Sequence, residues 1–322
     1  MAGCFASPPS ESLRSLFLFA RCLAIPLLLS ACAKPEAPPL PEPLDVPHGQ
    51  GRIWQIEGDG IETSYLFGTM HVSDPRVLDI PYEVEQAVNN SEIAAFEALL
   101  APGENEQRSE EDYVKLPDGT TTRGLIGARS WGKLVSIYKG RGYWKPRNDI
   151  KPWVFWRSVG GTRAIFYGND RERNPEQPIL DDFLEDRARE AGKEVVGLES
   201  AEENFDIFNG MPMEIQVSLL QTALDHYHEE TFGIPRVQLY LDGDLAQSRA
   251  LWKSALGRLD PESAQVLDDR LLNDRNQVMV ERMVPLMERG STFVGVGAAH
   301  LAGEEGMLRL LEQRGYRLER LL

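Results

Sequence analysis

Two histidines and two glutamates in this chain each close an apolar run. Ser64 to Met70 leads into His71, Ile93 to Phe96 into Glu97, Glu194 to Leu198 into Glu199, and Thr292 to Ala299 into His300. Both histidines have a glycine three residues ahead, as Gly68-x-x-His71 and Gly297-x-x-His300. A glycine there removes a side chain where the backbone must turn or approach a ligand closely. Neutral imidazole is a common ligand for transition metals, and carboxylates complete a mixed nitrogen and oxygen sphere suited to Zn²⁺, Mn²⁺, Co²⁺ or Fe²⁺. An ion held this way polarises a carbonyl and lowers the pKa of bound water from about 15.7 towards 7. The same side chains also offer a metal-free route, with one histidine as general base and the other as oxyanion donor.

Such chemistry needs a scaffold that gathers residues spread from 71 to 300. Parallel strands of one sheet do so, because their carboxyl ends share an edge where open α/β sheets place ligands. The fold expected is therefore α/β, with a mainly parallel or mixed central sheet flanked by helices and the site at the strand ends. Ile53 to Ile56 and Ser64 to Phe67 flank Glu57-Gly58-Asp59-Gly60, which predicts a hairpin at the start of the domain. Helices are expected over Pro81 to Asn90, Leu125 to Tyr167, Pro178 to Ala191, Glu202 to Thr231, Val237 to Leu256, Pro261 to Arg289 and Glu304 to Arg314. A strand over Tyr316 to Leu321 closes the chain. Residues 101–123 are polar and read as a mobile loop. With the tryptophan-rich block after them they form an expected loop and helical cap insertion at about 101–180. Trp153 and Trp156, three apart, are expected in the core; Trp131 and Trp144 read equally as core or as ligand-gripping faces.

The N-terminus reads as an address. Arg14 and Arg21 precede a short apolar core, Cys22 to Leu29, followed by Leu29-Ser30-Ala31-Cys32. A core of this length suits a secretory signal and is too short to span a bilayer. Cysteine directly after small residues is a bacterial lipobox pattern, which makes 1–31 a lipoprotein signal peptide and Cys32 the lipidated first residue of the mature chain. Residues 32–52 are then a proline-rich tether and 53–322 the domain. Ala33 after the cysteine matches the sorting signal for the outer membrane of a Gram-negative host, with the domain facing the periplasm. All three cysteines (Cys4, Cys22, Cys32) lie in the leader, which leaves the domain without a disulfide, a cysteine nucleophile or a thiolate metal site. Net charge is −16, and −17 once residues 1–31 are gone with two arginines and one glutamate. That acidity argues against nucleic-acid partners and leaves membrane attachment to the lipid.

Other motifs carry less. Gly127 to Lys133 has P-loop spacing, but Leu134 stands where Ser or Thr is required. Gly295-x-Gly297-x-x-His300 puts histidine where a dinucleotide fingerprint has its third glycine. His226 and His228 are two apart and point to different sides of a helix. Neither a Gly-x-Ser-x-Gly elbow nor a His-Glu-x-x-His helix occurs.

The ordered set Trp54-Gln55-Ile56, Tyr65 to His71, Phe96-Glu97, Lys151-Pro152-Trp153, Gly197-Leu198-Glu199, Arg275-Asn276 and Val296 to Leu301 resembles the TraB/GumN family. The resemblance runs from about Ile53 to Leu322. That family is similar to the TIKI peptidases, described as metal-dependent proteases with two Gly-x-x-His motifs, a glutamate and an arginine-asparagine pair. More distantly it resembles the erythromycin esterase and ChaN-like fold. The resemblance implies His71, Glu97 and His300 in the site, with Arg275 and Asn276 beside them. It departs after Glu199, where Glu203-Asn204 stands near the position at which many relatives carry glutamine.

The expected roles follow. His71 and His300 are ligands of a divalent transition metal (Mn, Co or Zn). Glu97 is a further ligand or the base for the attacking water. Glu199 is a ligand or a carboxylate orienting a histidine. Arg275 stabilises an oxyanion or anchors a substrate carboxylate, and Asn276 donates a hydrogen bond. Taken by itself, Arg275 reads as a helix-surface cation among Asp268, Asp269 and Asp274. The expected activity is hydrolysis of a peptide or protein substrate. The alternatives are a lipoprotein that binds haem, a metal or a peptide without turnover, and a metal-free histidine hydrolase.

Overall fold

The computed structural model describes residues 39–99, 113–160, 177–227 and 236–322. The leader, Cys32 and most of the polar loop expected at 101–123 lie outside the described residues. Six strands form one mixed sheet: β1 (Ile53–Glu57), β2 (Ser64–Thr69), β3 (Ile93–Phe96), β4 (Glu194–Gly197), β5 (Thr292–Gly297) and β6 (Arg317–Arg320). Their spatial order is β4-β3-β5-β2-β1-β6. The four strands that lead into His71, Glu97, Glu199 and His300 are mutually parallel. The hairpin β1–β2 and the pair β1–β6 are antiparallel. The last parallel strand in sequence, β5, occupies the centre, with β2 on one side and β3 on the other. His71 and Glu97 thereby flank the strand that carries His300.

Alternation along the strands fills two helical layers. Trp54, Ile56, Leu66, Val294 and Val296 face α11 (Asp274–Arg289) and α12 (Met307–Gln313), against Met279, Met283, Met287, Leu308 and Leu311. Ile53, Phe67, Ala94, Phe96 and Phe293 face the opposite side. There they meet Val77 of α1 (Pro75–Leu78), Val84 and Val88 of α2 (Tyr82–Asn90), Leu180 and Leu184 of α5 (Leu180–Glu190), and Tyr240 of α8 (Arg236–Leu241). A sheet buried on both faces is the ordinary environment of parallel strands.

A second hydrophobic core lies among helices alone. α3 (Thr122–Gly140) and α4 (Pro152–Val159) contribute Trp131, Leu134, Trp153 and Trp156. They pack on α6 (Ala201–Asn209), α7 (Met213–Asp225), α9 (Leu245–Leu256) and α10 (Pro261–Asp268), which supply Phe208, Leu219, Leu220, Trp252 and Leu267. This corrects the expected cap boundary. The packing unit is not confined to 101–180, because among the described residues the apolar stripes of α3 and α4 pack on helices from 201–272. Trp153 and Trp156 stack and tilt on Phe208, as their spacing predicted. Trp131 is buried and Trp144 is 93% exposed.

Breaks in the long helices have local causes. The expected Glu202 to Thr231 helix divides at Gly210 and Pro212, which cap α6 and α7. The expected Val237 to Leu256 helix divides at Gly243, whose positive φ of 67° a helix does not allow. Residues 39–52 differ from the expected free tether. Leu44 N–H donates to Ala246 O, Ala246 N–H to Gly49 O, Gly303 N–H to Pro47 O and Gln247 Nε2 to Pro41 O. His48 pairs with Glu312 at 3.2 Å and meets Trp54 edge-on. Prolines suit this strap because it crosses other elements without needing a ladder of its own N–H donors.

Candidate active site

Backbone hydrogen bonds continue past the strand ends and fix the two carboxylates. Glu97 N–H donates to Gly295 O at 3.2 Å, and Glu199 N–H donates to Glu97 O at 2.9 Å. The final turn of β5, Ala298–His300, folds His300 back over the sheet edge. Gly68 permits this close packing: a Cβ there would lie 2.5 Å from Leu301 Cδ1 and 3.0 Å from Ala298 Cα. A methyl group on Gly297 would lie 3.3 Å from Glu97 Oε2, 3.5 Å from His300 Cδ2 and 3.7 Å from His71 Nε2. Three sequence-predicted side chains therefore converge on the space beside Gly297, where a Cβ would be tight only against Glu97 Oε2. The glycines of the two Gly-x-x-His motifs do different work, one for packing and one for access.

Arg275 and Asn276 reach the site from a distorted helix. Asp269–Asn273 is a π-helical turn between α10 and α11, and such turns shift the register of every side chain beyond them. Arg275 Nη2 donates to Glu97 Oε1 and, at 2.6 Å, to Glu199 Oε2. Its Nε donates to Glu199 Oε1 at 2.8 Å, and Nη1 lies 3.4 Å from His300 Nε2. The surface role among neighbouring aspartates is not what the fold uses; Asp268 is taken by Trp252, Arg249 and Lys253. Glu199 is committed through both oxygens to Arg275, so it orients the guanidinium and no histidine. Asn276 is buried, donates to Glu305 O at 2.7 Å and turns its Oδ1 to His300 Nδ1 at 2.7 Å. Its oxygen therefore holds a histidine, while the hydrogen bond it donates goes to the backbone. Because the amide donates to a carbonyl, its oxygen must face Nδ1, which carries the proton and leaves Nε2 as the acceptor that faces Arg275 Nη1.

Electrostatics put these groups in defined states. Burial, helped by the Arg275 charge, pushes His300 down to about 3, so the imidazole is neutral near pH 7. Burial opposes ionisation of Glu97, but Arg275 and the histidines outweigh it and hold the carboxyl well below its usual range. Glu199 is pushed up by burial against the pull of Arg275. Burial disfavours the Arg275 cation, yet Glu97 and Glu199 raise its pKa further.

One residue escaped the sequence reading. Asp181, in the first turn of α5, places Oδ2 3.0 Å from His71 Nδ1, and its Oδ1 accepts from Thr69 Oγ1 at 2.5 Å. No spacing rule links residues 71 and 181; the only sequence signal was an acidic residue opening a helix. Of the other singled-out features, Gly127 kinks α3, and His226 caps α7, with His228 outside the described residues. Glu203, at the departure from the family pattern, closes a capping box with Ser200 and binds Arg282.

The donor set can be weighed for a metal. Two imidazoles, each with Nδ1 at a side-chain oxygen, and one ionised carboxylate face the space over Gly297. One guanidinium stands between two carboxylates, Glu97 and Glu199, and a third carboxylate, Asp181, lies at His71. In type, charge and convergence this set fits a divalent transition ion. Among the described residues no three His, Cys, Asp or Glu side chains are already drawn into a closed metal group.

The sequence matches the TraB/PrgY/gumN family over residues 52–320. Metalloprotease TIKI2 of Danio rerio is 27% identical over 80% of this chain and 58% of its own length. The Metalloprotease TIKI homolog of Amphimedon queenslandica is 24% identical over 84% of this chain and 61% of its own. Metalloprotease TIKI1 of Homo sapiens is 25% identical, over 83% and 61% respectively. The chain thus spans about three fifths of these relatives. No solved structure matches it.

Proposed function

We propose, from the premise that this chain belongs to the TraB/PrgY/gumN family, that it is a metal-dependent hydrolase of the peptidase class. The observation that carries this reading is the convergence of His71 Nε2, His300 and Glu97 Oε2 over Gly297. The metalloprotease names of the relatives support it from an independent direction. His71 and His300 would hold the ion through Nε2, with Glu97 left as the base; Mn²⁺, Co²⁺ and Zn²⁺ all suit such donors. When bound, the ion polarises the scissile carbonyl and acidifies a water.

The chain's own groups then divide the remaining work. Glu97 Oε2, steadied by the Gly297 N–H at 3.1 Å, accepts the proton of the attacking water. Arg275, whose Nη1 donates to Leu271 O and lies beside His300, sets its positive charge next to the developing oxyanion, while Glu199 keeps its plane fixed. Asn276 holds His300. His71 is the least buried of the site residues. For the leader we propose export, lipidation at Cys32 and attachment at the cell envelope, in the outer membrane facing the periplasm of a Gram-negative host. The lipobox supports that proposal. Among the described residues no helix is long and apolar enough to cross a membrane.

Two measurements test the catalytic reading. Elemental analysis of the purified chain is expected to find about one transition ion per molecule, lost in a His71→Ala, His300→Ala double variant. Peptide-library hydrolysis by the loaded chain is expected to fall at least about 100-fold in Glu97→Gln. A chain that takes up none of Mn²⁺, Co²⁺ or Zn²⁺ overturns the reading.

A further inference from the structure

We infer that Asp181 is a positioning residue, which locks His71 as the Nδ1–H tautomer and so turns Nε2 towards the space over Gly297. The consequence for ion binding rests on the functional reading above; the tautomer rests on geometry alone. His71 lies two residues beyond the end of β2, where no strand ladder fixes its side chain, and it is the most exposed of the site residues. Something else must hold the ring. Asp181 Oδ2 is shut off from solvent with no hydrogen bond in ideal geometry, and His71 Nδ1 stands 3.0 Å away at ion-pair distance. A buried carboxylate oxygen demands a donor, so the proton belongs on Nδ1.

The other oxygen explains why the carboxylate does not drift. Thr69 Oγ1 donates to Oδ1, so Thr69 at the strand end and His71 in the turn beyond it both reach one carboxylate. The position of Asp181 in the first turn of α5 adds the favourable field of a helix N-terminus. The strand end is pinned a third time by Tyr240, whose hydroxyl donates to Gly68 O at 2.9 Å. His300 has the matching arrangement, with the neutral Asn276 in place of a carboxylate. That difference has a physical reason. A carboxylate beside the partly exposed ring strengthens it as a ligand, whereas beside the fully buried ring it would add another charge to desolvate.

The test reads the ring directly. Long-range ¹H–¹⁵N correlation on the metal-free chain labelled at its five histidines, with His71 assigned through His71→Ala, is expected to show the Nδ1–H form. Asp181→Ala is expected to give the Nε2–H form or a mixture. Asp181→Asn, which keeps an acceptor and the side-chain volume, is expected to restore Nδ1–H and guards against a variant that fails to fold. In competition with a chromophoric chelator, Zn²⁺ affinity is expected to fall about 10–100-fold in Asp181→Ala and less in Asp181→Asn. An Nδ1 without its proton in the wild type, a wild-type tautomer in Asp181→Ala, or an unchanged Zn²⁺ affinity in that variant overturns the proposal. If the wild type binds no ion at all, the functional reading fails, and the tautomer alone decides for or against Asp181.

Discussion

His300 shows how a single residue's surroundings set both its chemistry and its cost. Its ring is buried, its Nδ1 proton is given to Asn276, and its pKa is pushed down to about 3. In the unfolded chain the same ring titrates near 6.5. Between those values the unfolded state binds a proton that the folded state refuses, so stability rises with pH across that window. Acidification from pH 7 towards 4 is expected to erode stability in the metal-free wild type. His300→Gln, which cannot be protonated, is expected to flatten that limb in urea titrations. A limb of equal slope in both chains would show that the acid sensitivity comes from elsewhere. His71, Glu97 and His300 could be singled out in the sequence because each closes an apolar run with a side chain able to do chemistry, and Arg275 and Asn276 only through the family resemblance. Asp181 could not: it reaches His71 through a contact that spacing does not encode.

At the scale of elements, the π-helical turn Asp269–Asn273 is the feature that aims the arginine. Asp274, Arg275 and Asn276 follow it directly, and each residue of helix advances the side chains by about 100°. What the turn delivers to the site is tested by Arg275→Met, which leaves two buried carboxylates, Glu97 and Glu199, without their cation. Hydrolysis is expected to vanish, with a stability loss of roughly 3–5 kcal/mol in chemical denaturation, the usual cost of stranding buried charges. An Arg275→Met variant with wild-type stability and activity would remove the arginine from the mechanism. Long periodic runs were readable as helices, including α2, α5 and the stretch from Pro261 to Arg289. The turn inside that stretch was not, because π and α geometry share the same apolar stripe over so few residues. The helix breaks at Gly210 to Pro212 and Gly243 carried ordinary punctuation residues.

For the whole molecule, the strap over residues 41–52 joins the first strand, α9 and the C-terminal strand. Gly51 N–H donates to Gly243 O, and Arg52 N–H to Leu322 O, both at 2.9 Å or less. A chain beginning at residue 53 is expected to melt roughly 5–10 °C below one beginning at residue 39, given the loss of several such contacts in a domain of this size. Equal melting temperatures would return the segment to the status of a passive tether. The strap was hidden in the sequence because prolines without apolar periodicity describe a linker and a docked extended segment alike. The sequence by itself determined the α/β class and the four strands that end in chemistry. It did so because period, run length and terminal residue are local properties of the chain. Only the tertiary structure decided that β5 enters between β2 and β3, that the cap draws its core from both 113–160 and 201–272, and that Glu199 serves Arg275. Those are choices among distant segments, settled by which buried faces and charges can be satisfied together. No single stretch of residues holds that information.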